Sequence, residues 1–388
     1  MIGDQTRLKV LHICPSFFTA IYWGGPTYST YGLCNSLASL DEVNLVVLTT
    51  DSAGKSLKDR VNAEERPVRT ERGYSIYYCR RIAAVSVSPE LLRRLPRLVC
   101  WADIIHLNAV YSFPTIPALA MARALGRPVV WSPRGALQRW GGTRSRMAKF
   151  LWESLCRALL IPEHTVLHVT SELEAAASIK RLRGLRAVKI VNGVDIPEEP
   201  AQRRWLPNGK LRILFLGRLD PIKAIDNLLK ALANIPSNAA ILEICGAGSP
   251  DYEGYLRGLV RSLGIESQVI FTGPVSASGK SDAYSRADVS VVPSHSENFG
   301  LVVAESLAHG IPVIASRGTP WEELRARGCG LWVENTPASL ANAIDHIGEL
   351  DLESMGARGR AWMQAEFRWD VIARQMRELY DQLMHMPK

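Results

Sequence analysis

The strongest constraint on this chain is a rhythm. Short apolar runs alternate with stretches of helical spacing, stop once near residue 192, and start again. The first set of runs is Lys9–Cys14, Val43–Thr50, Ser75–Tyr78, Asp103–Leu107, Pro128–Ser132, Val166–Val169 and Ala187–Val191. Between them lie segments such as Thr27–Leu40 and Pro114–Leu125, with apolar residues at helical intervals. The second set is Arg212–Leu216, Ala240–Cys245, Val269–Phe271, Val289–Val292, Pro312–Ala315 and Leu331–Val333. Strands that read as continuous apolar runs are buried on both faces, and parallel pairing needs a crossover helix between them. The pattern predicts an α/β chain of two Rossmann-like, doubly wound domains.

The pause between the two sets is N-G-V-D-I-P-E-E-P-A-Q-R-R-W-L-P-N-G-K, which holds three prolines and two Asn-Gly pairs and reads as a linker. It divides the chain into 1–195 and 196–366, followed by a tail whose Trp369–Met384 stretch is amphipathic and helical. With 388 residues, 47% hydrophobic and 22% charged, each half is long enough to bury its own core, and wholesale disorder is excluded. The seven cysteines are odd in number and none is spaced C-x-x-C, which argues against a disulfide framework and a cysteine zinc site and points to a reducing cytosol. Asp4, Arg7 and Lys9 interrupt the N-terminus, so no signal peptide is read, and the uncharged run Ile104–Ala122 is too rich in His106, Asn108, Pro114 and Pro117 to span a membrane.

Charge is unevenly spread. Residues 1–190 hold 26 basic and 14 acidic side chains, whereas residues 191–388 hold 20 and 24. A basic half suits an anionic partner, either phosphate or a membrane surface, or is simply a solvated surface. Arg144–Leu160 sets Arg144, Arg146, Lys149 and Arg157 against Met147, Phe150, Leu151, Leu155 and Leu159. Such a segment either lies on an anionic membrane or packs as an ordinary surface helix. No aromatic stacking platform is interleaved with the basic residues, so nucleic acid is not an expected partner.

In open α/β sheets ligands bind beyond the carboxyl ends of the strands. After the first strand, Gly24 and Gly25 precede a helix, where they hold a pyrophosphate or make a tight turn. After Arg212–Leu216 come Gly217, Arg218 and Lys223, two cations on one loop, suited to a diphosphate or merely solvated. After Val289–Val292 comes P-S-H-S-E-N-F-G-L-V-V-A-E-S-L-A-H-G, in which Glu297 and Glu305 straddle a helix N-terminus opened by Gly300. Carboxylates accept hydrogen bonds, so each can hold a sugar diol. His106 and Asn108 end the fourth run, either lining a pocket or satisfied within the core.

The segment E-N-F-G-L-V-V-A-E resembles the E-x7-E motif of the family-four retaining glycosyltransferases of GT-B fold. The Gly24-Gly25 loop, V-N-G-V-D at 191–195, G-R-L-D-P-I-K at 217–223, C-G-A-G at 245–248, F-T-G-P-V at 271–275 and F-R-W-D-V-I-A at 367–373 occur in the family's order and cover most of the chain. The resemblance implies two domains facing across a cleft, with a C-terminal helix, 367–388, crossing back to complete the N-terminal, acceptor-binding domain. It implies that Arg218 and Lys223 bind the diphosphate of a UDP-, GDP- or ADP-linked sugar donor and that Glu297 holds hydroxyls of the transferred hexose. Glu305 would hold the ribose, and Phe299, Gly300 and Leu301 would offer backbone N–H groups. Gly217 allows close approach, Gly246 and Val275 would lie near the nucleobase, and Gly24 and Gly25 would close over the diphosphate.

Two positions depart from the family. Arg134, in S-P-R-G-A-L, stands where many relatives carry a histidine; permanently charged, it is no base but can donate to a donor hydroxyl or an acceptor phosphate. Asn298 stands where glycine is commoner, which bears on the donor sugar. No D-x-D metal motif is present, and the resemblance implies metal-independent, front-face transfer with retention, no cofactor beyond the nucleotide sugar, and a glycan or lipid-linked acceptor. The expected setting is the cytoplasm, at the cytoplasmic face of a bacterial inner membrane. Rival readings are a GT-B-fold nucleotide-sugar epimerase or hydrolase and a non-catalytic binder of a sugar nucleotide or anionic polymer.

Overall fold

The computed structural model describes residues 7–62, 67–83, 86–138, 145–199 and 203–385. Arg144, at the head of the amphipathic stretch, and residues 200–202 of the linker lie outside the described residues. In chain order the first thirteen elements are β1 (Leu8–Ile13), α1 (Gly25–Ala38), β2 (Val43–Thr50), β3 (Val68–Arg69), β4 (Ser75–Cys79), α2 (Pro89–Trp101), β5 (Ile104–Asn108), α3 (Thr115–Ala124), β6 (Val129–Ser132), α4 (Arg146–Leu159), β7 (Thr165–Val169), α5 (Glu172–Arg181) and β8 (Arg186–Lys189). Then follow β9 (Leu211–Leu216), α6 (Ile225–Leu232), β10 (Ala240–Cys245), α7 (Pro250–Leu263), β11 (Val269–Gly273), α8 (Ala277–Arg286), β12 (Val289–Val292), α9 (Leu301–Ala308), β13 (Val313–Ser316), α10 (Glu323–Ala326), β14 (Gly330–Val333), α11 (Pro337–Gly348), α12 (Leu352–Glu366) and α13 (Trp369–Met384).

Helix starts follow local chemistry. Ser88, Ser171, Ser249, Ser276, Thr336 and Asp351 each accept a backbone N–H of the first turn of α2, α5, α7, α8, α11 and α12. The helices then cover sheets whose strands are apolar on both sides.

The chain forms two units. One runs up to Gly193 and includes the segment from Trp369 onward; the other is Val194–Arg368. The first holds an eight-stranded sheet in the order β3-β4-β2-β1-β5-β6-β7-β8, parallel except for β3, which runs antiparallel to β4. The second holds a six-stranded sheet, β11-β10-β9-β12-β13-β14, parallel throughout. Each sheet reverses its winding once, between β1 and β5 in the first unit and between β9 and β12 in the second. A doubly wound sheet opens its ligand crevice at such a reversal, outside the carboxyl ends of the two strands.

In the first unit, alternation along the strands sends Leu8 and Val10 of β1 to one core and Leu11 and Ile13 to the other. The first core is closed by α1 through Leu33, Cys34 and Leu37 and by α13 through Ile372, Met376, Leu379, Tyr380 and Leu383. Trp369 opens α13 against Gly32 of α1 and Gly193; a Cβ at either glycine would overlap its indole. In the second unit the linker is held down by buried Arg360, which donates to Ala308 O (2.7 Å), Glu198 O (3.0 Å) and Pro197 O. Val194 N donates to Phe367 O at 2.9 Å beside it.

Candidate functional site

The loop after β9 carries Gly217, Arg218 and Lys223. Gly217 has φ 155°, and its carbonyl packs so closely on Gly246 that a Cβ at Gly246 would overlap it. The loops after β9 and β10 thus continue their pairing past the strand ends: Gly217 N donates to Cys245 O (3.0 Å) and Leu219 N to Ala247 O (2.9 Å). Gly246 has this backbone reason for its identity. Asp220 then accepts Ile222 N at 3.0 Å and begins the short turn Pro221–Lys223 that leads into α6.

The loop after β12 meets this one. His295 N donates to Ile222 O at 2.8 Å, and Lys223 Nζ forms an ion pair with Glu297 Oε1. Ser294 Oγ donates to the same Glu297 oxygen at 2.7 Å. The loop is seated from behind: Glu297 N donates to Gly318 O (2.8 Å), and Gly318 lies so close to Ser294 and His295 that a Cβ there would overlap their carbonyls. Phe299 is buried against Trp321, 5.2 Å between ring centroids, and Trp321 stacks on Phe367 at 5.6 Å. Trp321 Nε1 also donates to Phe299 O. Gly300, at φ 79°, caps α9 in the left-handed region, and Leu301 opens the helix. Arg218 is exposed and has no partner among the described residues.

Glu305, in the second turn of α9, is held by two residues of α8. Lys280 Nζ pairs with its Oε1 at 2.6 Å, and the buried Tyr284 hydroxyl donates to its Oε2 at 2.7 Å. Burial, and then the neighbouring Glu305 charge, keeps the Tyr284 hydroxyl protonated by pushing its pKa well up. Val275 packs partly buried into the same small cluster as Cys245 and Tyr284. The sequence reading missed Ser294, Gly318, Lys280 and Tyr284. Lys280 and Tyr284 stand four residues apart on a short helix, the one spacing that could have put both on one face.

In the first unit, Gly24 (φ 68°) caps α1, which starts at Gly25 with Pro26 in its first turn. No atom lies within 4 Å of a Cβ built at Gly24, so its conformation rather than crowding calls for glycine. His106 and Asn108 are both buried, within a polar layer the sequence reading saw only in part. His12, His106, Ser132 and His168 sit near the carboxyl ends of four adjacent strands, β1, β5, β6 and β7. Each is an even number of residues from an apolar neighbour (Val10, Ile104, Val130, Val166) in the core under α1 and α13, so all four point to that side. His12 pairs in register with His106, and their rings stack at 4.4 Å.

The hydrogen-bond directions follow from one fixed end. Burial keeps His168 neutral and Ile190 O can only accept, so His168 Nε2 donates to it (3.0 Å) and His168 Nδ1 accepts from Ser132 Oγ (2.6 Å). Ser132 in turn accepts from His106 Nε2 (2.7 Å), and His106 Nδ1 accepts from Tyr380 on α13 (2.6 Å). A second chain starts at Arg134, which only donates. Its Nε reaches Asn108 Oδ1 (3.2 Å), which turns Asn108 Nδ2 toward His12 Nε2 and leaves that nitrogen as an acceptor. Arg134 Nη1 donates to Asn192 Oδ1 at 2.7 Å. In this arrangement all three histidines are neutral. Burial first, and then the Arg134 charge, pushes His12 and His168 down to about 3; burial and the neighbouring histidines push His106 well down too.

Helix α4 packs Cys156, Trp152 and Leu159 on the core of the first unit and carries a second apolar side outward. Its inward side is Glu153, bonded to the Tyr111 hydroxyl, with Cys156, while Trp152 Nε1 donates to Val110 O at 2.8 Å. Lys149 lies over the Tyr111 ring. Its outward side is Met147 (72% exposed), Leu151 (62%), Phe150 (51%) and Leu155 (49%). Among the described residues no helix is long and apolar enough to cross a membrane, and no group of three His, Cys, Asp or Glu side chains is arranged to hold a metal. The seven cysteines are free thiols, only Cys100 being exposed.

Neutral buried histidines predict how stability depends on pH. Their folded pKa values lie below the unfolded value of 6.5, so the unfolded chain binds protons first as pH falls. Stability is full above pH 6.5 and is lost progressively toward pH 3, by about 1–2 kcal/mol per histidine at pH 5. Urea unfolding at pH 7.5 and pH 5.0 checks this: the midpoint falls at the lower pH, and an equal or higher midpoint there contradicts the assignment.

Comparison with known proteins matches both units. Residues 197–362 match the family described as Glycosyl transferases group 1, and residues 24–192 the Glycosyl transferase 4-like domain. A D-inositol 3-phosphate glycosyltransferase 2 of Catenulispora acidiphila is 32% identical over 253 residues, 58% of this chain and 58% of that protein. The chain thus spans little more than half the length of that curated relative. Among solved structures, sucrose-phosphate synthase of Thermosynechococcus elongatus superposes with TM-score 0.72 at 23% identity, covering 97% of this chain and 99% of that one. Alr3699/HepE of Anabaena, solved in complex with UDP-glucose, gives TM-score 0.74 at 19% identity, covering 97% and 100%. Each unit therefore resembles a glycosyl transferase family over most of its length, and the chain has the GT-B fold.

Proposed function

We propose that this chain transfers a hexose from a nucleoside-diphosphate sugar to a hydroxyl of a glycan or lipid-linked acceptor, retaining the donor's anomeric configuration. The observation that carries the reading is the meeting of Lys223 and Glu297 at the carboxyl ends of β9 and β12, with Arg218 unpartnered on the same loop as Lys223. The names of the matching families and relatives support glycosyl transfer, and the neighbour solved with UDP-glucose supports a nucleotide-sugar donor.

Each side chain then has a task. Arg218 and Lys223 neutralise the diphosphate as it leaves, helped by the N–H groups of Phe299, Gly300 and Leu301 at the start of α9. Glu297, held by Lys223 and Ser294, accepts hydroxyl hydrogens of the hexose. Glu305, fixed through both oxygens by Lys280 and Tyr284, keeps lone pairs for the ribose diol. Gly246 and Val275 flank the nucleobase. In the reaction the bond from the anomeric carbon to the phosphate oxygen breaks, and the acceptor oxygen bonds to the same face. The acceptor's proton passes to the departing phosphate oxygen. Two cations and the helix amides carry the leaving-group charge, so the proposed step needs no metal ion.

The reading extends to the acceptor's setting, a lipid-linked glycan at an anionic membrane. The outward apolar side of α4, flanked by Arg146 and Arg157 in a basic half of the chain, supports it.

Two outcomes are expected. With an active donor, Lys223→Ala and Glu297→Ala each lower kcat by about 100- to 1000-fold. Proton NMR at early turnover shows an α-linked product from an α-linked donor, formed equally in EDTA. A β-linked product overturns retention, and donor hydrolysis without transfer favours the hydrolase reading. On membranes, the chain co-sediments with phosphatidylglycerol vesicles, less so as salt rises, and Phe150→Glu with Leu151→Glu abolishes it. Sedimentation indifferent to anionic lipid and to salt removes the membrane claim.

A further inference from the structure

Arg134 is a cation with no ion pair among the described residues. It follows β6 in the left-handed region, at φ 54°, a conformation that a long L side chain adopts only when its surroundings hold it there. Two amide oxygens take its Nε and Nη1: Asn108 Oδ1 at 3.2 Å and Asn192 Oδ1 at 2.7 Å. Both are neutral. The remaining nitrogen, Nη2, is buried and has no acceptor among the described residues.

Among the groups around it Glu174 alone is acidic. His12, His106 and His168 lie on the sheet side, where burial keeps them neutral within their hydrogen bonds. Cys14, Cys34 and Tyr380 also feel the Arg134 charge, and burial pushes their pKa values well up, which keeps them protonated. Burial pulls the Arg134 pKa down and the Glu174 charge opposes this, yet the Glu174 carboxylate is committed elsewhere. Its Oε1 accepts Gly135 N at 2.6 Å, and its Oε2 accepts Thr170 N at 2.8 Å and the Thr170 hydroxyl at 3.0 Å. Arg134 forms no ion pair among the described residues. The side chain as a whole is half-buried, but Nη2 itself is shielded from solvent, and shielding a donor without an acceptor is costly. A water, an ion or a ligand that completes it is among the reasons a folded protein keeps such a group.

We propose that Arg134 is an anion-binding residue for a phosphoryl group of the ligand, gripped by the unpartnered Nη2 edge of a guanidinium that Asn108 and Asn192 hold in place. The choice of phosphate rests on the glycosyl-transfer reading, in which the ligands carry phosphoryl oxygens. The guanidinium fork matches those oxygens geometrically. A histidine at this position would supply a proton-transfer group, whereas Arg134 supplies a fixed positive charge. The phosphoryl group belongs either to the donor's diphosphate or to a phosphorylated acceptor.

Inorganic phosphate is the probe, titrated calorimetrically into the full chain carrying Arg218→Gln and Lys223→Gln, so that the other diphosphate cations are silent. Phosphate is expected to bind this variant, and adding Arg134→Gln is expected to raise its Kd about tenfold or more. No phosphate binding to the double variant, or binding unchanged by Arg134→Gln, overturns the proposal. If the triple variant does not fold, arginine side-chain 15N NMR of the unaltered protein replaces it. The guanidinium signal missing from Arg134→Lys then shifts as phosphate is added, and an unmoved signal overturns the proposal. Saturating UDP separates the sources: phosphate displaced by UDP assigns the site to the donor, and phosphate bound alongside UDP assigns it to the acceptor. Failure of the underlying reading shows separately, as no UDP binding by the unaltered chain.

Discussion

In the second unit the chain leaves β9 toward one face of the sheet and β12 toward the other, and nothing in the sheet fills the notch between their carboxyl ends. Every candidate group of that unit depends on this reversal. It brings residues 217–223 beside residues 294–300, although more than seventy positions separate them, and the result is the ion pair of Lys223 with Glu297. The pair is braced from both sides. Gly246 and Gly248 let the β10 loop pack on the backbone that carries Arg218, and Gly318 with the Phe299–Trp321–Phe367 rings fixes the loop that carries Glu297. A charged pair held this firmly is oriented before any ligand arrives, which lowers the reorganisation that binding a diphosphate requires.

The first unit solves a different problem. Four adjacent strands end in polar side chains inside a core, where an unpaired polar group is expensive. The solution is a directional run of hydrogen bonds from Tyr380 through His106 and Ser132 to His168, ending on the Ile190 carbonyl. Tyr380 belongs to α13, so the C-terminal helix completes a network that the first strands begin. Two readings were open for His106, a pocket-lining residue or a satisfied core histidine, and its geometry is the latter. Arg134 crowns the layer and contributes its only formal positive charge.

Much of the architecture was legible because buried parallel strands are apolar on both faces. Val43–Thr50, Ala240–Cys245 and Val289–Val292 have the same limits in sequence and structure, and most other strands differ by one or two residues. The two-residue β3 was not legible: Val68–Arg69 has no apolar run, and its antiparallel edge position comes only from pairing with β4. Glu297, Glu305 and Lys223 stood out by spacing, but Lys280 and Tyr284 did not, since which face of α8 meets α9 is fixed by packing. His12 and His168 carried a signal that went unread. Three apolar runs each hold a histidine near the end, and only the strand order β1-β5-β6-β7 makes them neighbours. For α4 the composition was plain and the orientation was not; burial of Glu153 and Cys156 sends Met147, Phe150, Leu151 and Leu155 outward.

The central claim is that the notch between β9 and β12 receives a nucleoside diphosphate. A crystal structure of the full chain grown with UDP, GDP or ADP tests it most directly. The account predicts phosphate density within hydrogen-bonding distance of Arg218, Lys223 and the first amides of α9, with the ribose on Glu305. Nucleotide density seated away from those residues, with the Lys223–Glu297 notch empty, would contradict it.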